Sequence, residues 1–175
     1  MNTDPLSDLE IGKAAEHLVV ADLILSGYRA YLTEQGLPYD VVIDHESTLY
    51  RVQVKASREP KKMPQRGAVG TGYLYNVRRA GKCGRRRYAD DEFDIVALVA
   101  IDIRIVAYLP FQGLQTVQLR PPGHRVTARA ERTHTIDQFP IEGALAAITG
   151  KRPTRSPAHV RVPVVEDQAR LFEIA

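Results

Sequence analysis

The chain has a single cysteine, Cys83, which excludes a disulfide framework and a cysteine-based zinc site. One cysteine also fits a reducing compartment. No apolar run approaches the roughly 18–20 residues that a membrane helix needs, so a helical membrane span is excluded. The start, Met1-Asn2-Thr3-Asp4-Pro5, has neither a basic segment nor an apolar one, so no secretory signal is expected. His17, His45, His124, His134 and His159 are scattered, and no pair has zinc-ligand spacing on a recognisable element. There is no internal repeat and no low-complexity tract. These absences lead to the expectation of a soluble cytoplasmic protein with no membrane partner.

What is present is an ordinary globular composition, 44% hydrophobic and 26% charged, over 175 residues. That length suits one domain without staples. We place a single domain at 1–150 and a Pro/Arg-containing arm at 151–175. Net charge is only +3, yet the basic residues are unevenly placed.

A helix is expected over 7–26. Ser7 and Glu10 have capping-box spacing, and Gly27 stands where a helix-ending glycine belongs. Leu9, Ile11, Ala15, Leu18, Val19 and Leu23 form its apolar stripe. Glu16 and Asp22 fall within that stripe, where an acid is costly unless it is paired, bound to a cation or able to reach solvent.

Strands are expected at 28–33, 40–44 and 49–56, the last two joined as a hairpin. In Leu49–Ala56 the alternation is strict. Tyr50, Val52, Val54 and Ala56 share one face; Arg51, Gln53 and Lys55 share the other. Gln53 and Lys55 are therefore neighbours, about 7 Å apart. An antiparallel hairpin brings Asp40 opposite their end of the strand.

Residues 57–92 read as a basic, Gly-rich loop, with a strand conceivable at 73–77. Arg58, Lys61, Lys62, Arg66, Arg78, Arg79, Lys82, Arg85, Arg86 and Arg87 crowd this stretch, with Tyr73, Tyr75 and Tyr88 interleaved. This is the composition of a phosphate-backbone grip, with Tyr73, Tyr75 and Arg78 free to touch bases or sugars. A solvated basic loop is the plainer alternative. Beyond it, 93–100 reads as a buried strand, 105–109 as its partner, 124–130 as a weak strand and 141–148 as a short helix. Asp94 leads the buried strand and is read as a paired core acid. The whole is an α/β arrangement, with the apolar strands inside the sheet and the first helix packed on it.

Glu16, Asp40, Gln53 and Lys55 form the candidate catalytic cluster. Asp40, Glu16, the Gln53 amide oxygen and the Val54 carbonyl are oxygen donors suited to a hard cation such as Mg²⁺. Lys55 is placed to act on an attacking water and on phosphate charge.

Pro38-Tyr39-Asp40, a hairpin, then Gln53-Val54-Lys55 resembles the PD-(D/E)XK nuclease signature. Glu16 in Gly12-Lys13-Ala14-Ala15-Glu16 matches the helical glutamate of its resolvase-like members. The glutamine in place of the second acid is similar to the branch that contains the cyanobacterial group I intron homing endonuclease. The segment from Tyr88 through Asp94-Ile95-Val96 to Tyr108-Leu109-Pro110 is similar to the strand pair closing that family's core. The resemblance spans about residues 8–110. It implies a restriction-endonuclease-like core, a central mixed sheet flanked by helices. It also implies Mg²⁺-dependent endonuclease activity on DNA, with Mn²⁺ as a substitute ion, in a homo-oligomer (dimer or tetramer). Two other readings stand beside it: a catalytically degenerate nucleic-acid-binding protein on the same fold, and a small α/β domain with a merely solvated polar face.

Overall fold

The computed structural model describes residues 6–65, 68–81, 84–123 and 134–150. The arm at 151–175, the weak strand at 124–130, Arg66, Lys82 and Cys83 lie outside them.

Helix α1 (Asp8–Leu25) begins on the expected capping box: Ser7 accepts from the Glu10 N–H, and Glu10 accepts from the Ser7 N–H at 2.7 Å. Its buried face is Ile11, Ala15, Val19 and Leu23, one residue per turn. Leu9 is 73% exposed, unlike the expected stripe. Two residues from Ile11, it is turned about 200° round the helix axis. Gly27 takes φ +88°, the left-handed conformation that lets the chain turn out of the helix into β1 (Arg29–Leu32).

Strands β2 (Val41–His45) and β3 (Thr48–Ser57) pair antiparallel, with His45 opposite Thr48. Glu46 and Ser47 between them both have positive φ, the geometry of a tight two-residue hairpin turn. β3 then pairs in parallel with β8 (Ile95–Ala100), every residue of which is buried. β9 (Ile105–Pro110) returns antiparallel to β8. The result is a five-stranded mixed sheet in the order β1-β2-β3-β8-β9.

Alternation splits the core in two. Val41, Ile43, Tyr50, Val52, Val54, Ile95, Ala97 and Val99 face α1 and the later helix α2 (Ile141–Thr149). Val96, Leu98 and Ala107 face a second layer containing Tyr73, Tyr75, Val77, Phe93 and Leu119. That layer is a three-stranded sheet in the order β10-β5-β4, from β4 (Lys61–Gln65), β5 (Ala68–Asn76) and β10 (Thr116–Leu119). A small ribbon, β6 (Arg79–Gly81) with β7 (Gly84–Arg86), stands beside it.

The strand offered at 73–77 falls largely within β5, while the expectation of a loop over the rest of 57–92 is corrected: β4, β6, β7 and the start of β5 lie within it. Glycine and lysine are weak strand formers, so local propensity does not announce these strands. β4 and β5 pair as neighbours, as do β6 and β7, and β5 is held further by the distant β10 and by packing of Tyr73 and Tyr75 against β8. No helix among the described residues is long and apolar enough to cross a membrane.

Candidate active site

Asp40 stands one residue before β2 and is fixed on both sides. Its N–H donates to the Val52 carbonyl at 2.9 Å, and its carbonyl accepts from the Thr33 N–H at 3.0 Å. Its carboxylate accepts from the Val54 N–H at 2.8 Å and from the Gln53 side-chain amide. The same Gln53 amide also donates to the Val54 carbonyl at 3.1 Å. Gln53 is buried, 6% exposed, and all its recorded bonds use the NH₂ end.

Lys55, two residues on, lies on the same strand face as Gln53. Its ammonium donates to the Tyr88 hydroxyl at 3.1 Å and lies 5.3 Å from the centre of the Tyr88 ring. Glu16 comes from α1, where Lys13 donates to it at 2.7 Å. Glu16, Lys13 and Asp40 line one cleft of about 320 Å³, closed on the other side by the Thr33–Leu37 segment. The four predicted residues therefore converge on one end of the β2–β3 hairpin.

Burial is the main influence on the site's charges. It pushes the Asp40 carboxyl above the usual carboxylate range, and neighbouring Glu16 adds to this, against the opposing Val54 N–H and the Lys55 and Lys13 charges. Burial pulls the Lys55 ammonium down, opposed by Asp40. Lys13 is held up by its bond to Glu16. The Asp40 and Glu16 carboxylates that line this cleft are oxygen donors of the kind a hard divalent ion takes. Among the described residues no three His, Cys, Asp or Glu side chains are gathered for a metal. A cation ligated by the Gln53 amide oxygen would need that amide turned over, because its NH₂ end faces Asp40 and the Val54 carbonyl.

The predicted phosphate grip divides. Lys61, Lys62 and Arg87 are exposed. Arg58 is held by the Leu6 carbonyl and by Asp8 at 3.0 Å, and Arg78 donates to Gln115 at 3.0 Å. Arg79 and Arg86 both reach Glu92, at 3.6 and 3.1 Å. Arg85 lies on β7.

Tyr73 and Tyr75 are corrected: each is 1% exposed and packs between the two sheets, so neither is free to touch a base or sugar. Tyr73 donates to Asp102 at 3.0 Å. The signal for burial was present in the alternation Tyr73, Tyr75, Val77. Asp94 is a paired acid as expected, bonded to the Arg51 backbone N–H and guanidinium at 2.8–3.2 Å. Tyr88 and Lys13 were not among the predicted site residues. Tyr88 stands out in sequence as an aromatic of the basic stretch, but its approach to Lys55 depends on the chain's return beside β3.

A helix glutamate, an aspartate at the hairpin's open end and a lysine-bearing strand, on a mixed sheet backed by helices, define a PD-(D/E)XK endonuclease core. The sequence profile of the PD-(D/E)XK endonucleases matches residues 6–139, and the chain belongs to this family. Among solved structures it is similar to that of the bacterial homing endonuclease I-Ssp6803I. The TM-score is 0.59 at 18% identity, over 83% of this chain and 96% of the other. That likeness shows a shared restriction-endonuclease-like fold. No curated protein matches the sequence.

Proposed function

We propose that the chain is a Mg²⁺-dependent endodeoxyribonuclease that hydrolyses a DNA phosphodiester. The observation that carries this reading is the convergence of Asp40, Gln53, Lys55 and Glu16 at one end of the hairpin, beside an acidic cleft. Asp40, Glu16, the Gln53 amide oxygen and the Val54 carbonyl would hold the ion. When bound, the ion supplies Lewis-acid charge to the phosphate and lowers the pKa of water. Lys55 orients the attacking water and stabilises negative charge developing on the phosphate oxygens. One of Lys61 and Lys62, together with Arg87, holds flanking phosphates. The described residues hold one such site, so cutting both strands of a duplex takes two copies, and a symmetric dimer or tetramer is the proposed assembly.

One observation favours a second reading. The Gln53 NH₂ group faces Asp40 and the Val54 carbonyl, so the cluster satisfies itself without a cation. A catalytically degenerate DNA-binding protein would keep that arrangement.

Supercoiled plasmid with Mg²⁺ separates the two. Nicking by the wild type, reduced at least about 100-fold in Lys55→Ala and Asp40→Ala, supports the nuclease. Equal nicking by all three proteins would sink the catalytic assignment. Binding without cleavage in Mg²⁺ or Mn²⁺ selects the second reading.

A further inference from the structure

The geometry points to Tyr88 as the positioning residue for Lys55, a role that rests on the nuclease reading above. A lysine ammonium on a flexible four-carbon stem sweeps a wide volume unless something holds it. Here the Tyr88 hydroxyl accepts from it at 3.1 Å, and the ring offers its π system at 5.3 Å. Both contacts come from Tyr88 alone, and Asp40 acts on the same ammonium as a neighbouring charge.

Tyr88 is itself well fixed. It is 9% exposed, and its ring meets Phe93 edge-on, with centroids 4.9 Å apart. Phe111 makes a second edge contact at 6.4 Å. The next residue is pinned by Glu92, whose carboxylate accepts from the Ala89 N–H at 2.7 Å. Burial pushes the phenol up to about 12, so it remains a neutral acceptor at working pH. Tyr88 and Phe93 belong to the cluster that covers this face of the sheet, so that layer sets where the site's lysine stands.

Tyr88→Phe removes the hydroxyl and keeps the ring in its aromatic seat. We expect kcat on plasmid to fall about ten-fold, with DNA affinity in EDTA unchanged. In a Lys55→Met background the same change has no further effect, because Tyr88 acts only through Lys55. An equal loss in both backgrounds, or no loss in the wild-type background, overturns the assignment. A second readout needs no cleavage. In the metal-free full chain, NMR cross-relaxation should connect the Lys55 ε-methylene to the Tyr88 ring, and it should vanish in Tyr88→Leu. Its absence from wild type overturns the seat even where the nuclease reading stands. Its presence in a protein that does not cut DNA supports the seat and sinks only that reading.

Discussion

Gln53 donates one amide group to two acceptors, the Asp40 carboxylate and the Val54 carbonyl. A glutamate in its place donates to neither and sets a second carboxylate against Asp40, whose own carboxyl is already pushed up by burial. Gln53→Glu should therefore lower stability in EDTA at neutral pH by about 1–3 kcal/mol. A divalent ion offsets that repulsion, so Mg²⁺ should restore the urea midpoint and bind more tightly than to wild type. Urea unfolding with and without Mg²⁺, beside calorimetric titration, checks both halves. An unchanged midpoint in EDTA together with unchanged Mg²⁺ affinity would place Gln53 outside the coordination shell. At this scale the site was readable because spacing on a strand dictates which side chains are neighbours. Tyr73 and Tyr75 were misread for a related reason. Composition says what surrounds a tyrosine in sequence, while burial depends on which sheet covers it.

Contacts between elements account for Asp22, the second acid in the apolar stripe of α1. Asp22 neither reaches solvent as a free carboxylate nor sits unpaired: Tyr108 on β9 donates to it at 2.7 Å, tying the helix to the sheet. Burial raises the Asp22 carboxyl, the Tyr108 bond partly opposes that, and Glu142 on α2 adds to the rise. A carboxyl raised in the fold contributes stability that is fully present below its ordinary value of 3.8. That contribution is lost as pH rises through the folded value. Asp22→Asn keeps an oxygen for Tyr108 and does not ionise. Its urea midpoint relative to wild type should therefore climb between about pH 3 and pH 7. Tyr108→Phe strips the donor from a buried carboxylate and should cost about 1–3 kcal/mol at pH 7. A pH-independent gap between Asp22→Asn and wild type would show that Asp22 titrates normally. The helix, the hairpin and the β8–β9 pair were legible because each is announced locally, by a capping box, alternation or an unbroken apolar run. β10 was missed. Its four residues, Thr116–Leu119, carry no run and acquire their structure only from β5.

Across the whole molecule, the charge available to a polyanion is smaller than the count of basic residues in 57–92. Glu92 holds Arg79 and Arg86, Asp8 holds Arg58, and Gln115 holds Arg78. Under the proposed function, these partners set how many phosphates the protein neutralises. Each phosphate contact adds about 0.9 to the slope of log affinity against log salt. Lys61 and Lys62 are adjacent on β4, the edge strand of the small sheet, and so point to opposite faces. A duplex lying on one face meets only one of them. Replacing both by alanine should flatten the slope by about 0.9, with one of the two single variants accounting for all of it. A loss of about 1.8 would mean that the strand meets DNA edge-on. Glu92→Gln should act in the opposite direction, releasing the charges of Arg79 and Arg86, steepening the slope and tightening binding at low salt. DNA titrations across salt, run beside thermal melts to confirm that the fold is kept, read all four variants. A slope in Glu92→Gln no steeper than wild type would mean that the two ribbon arginines face away from the DNA. The phosphate grip would then rest on β4 and Arg87.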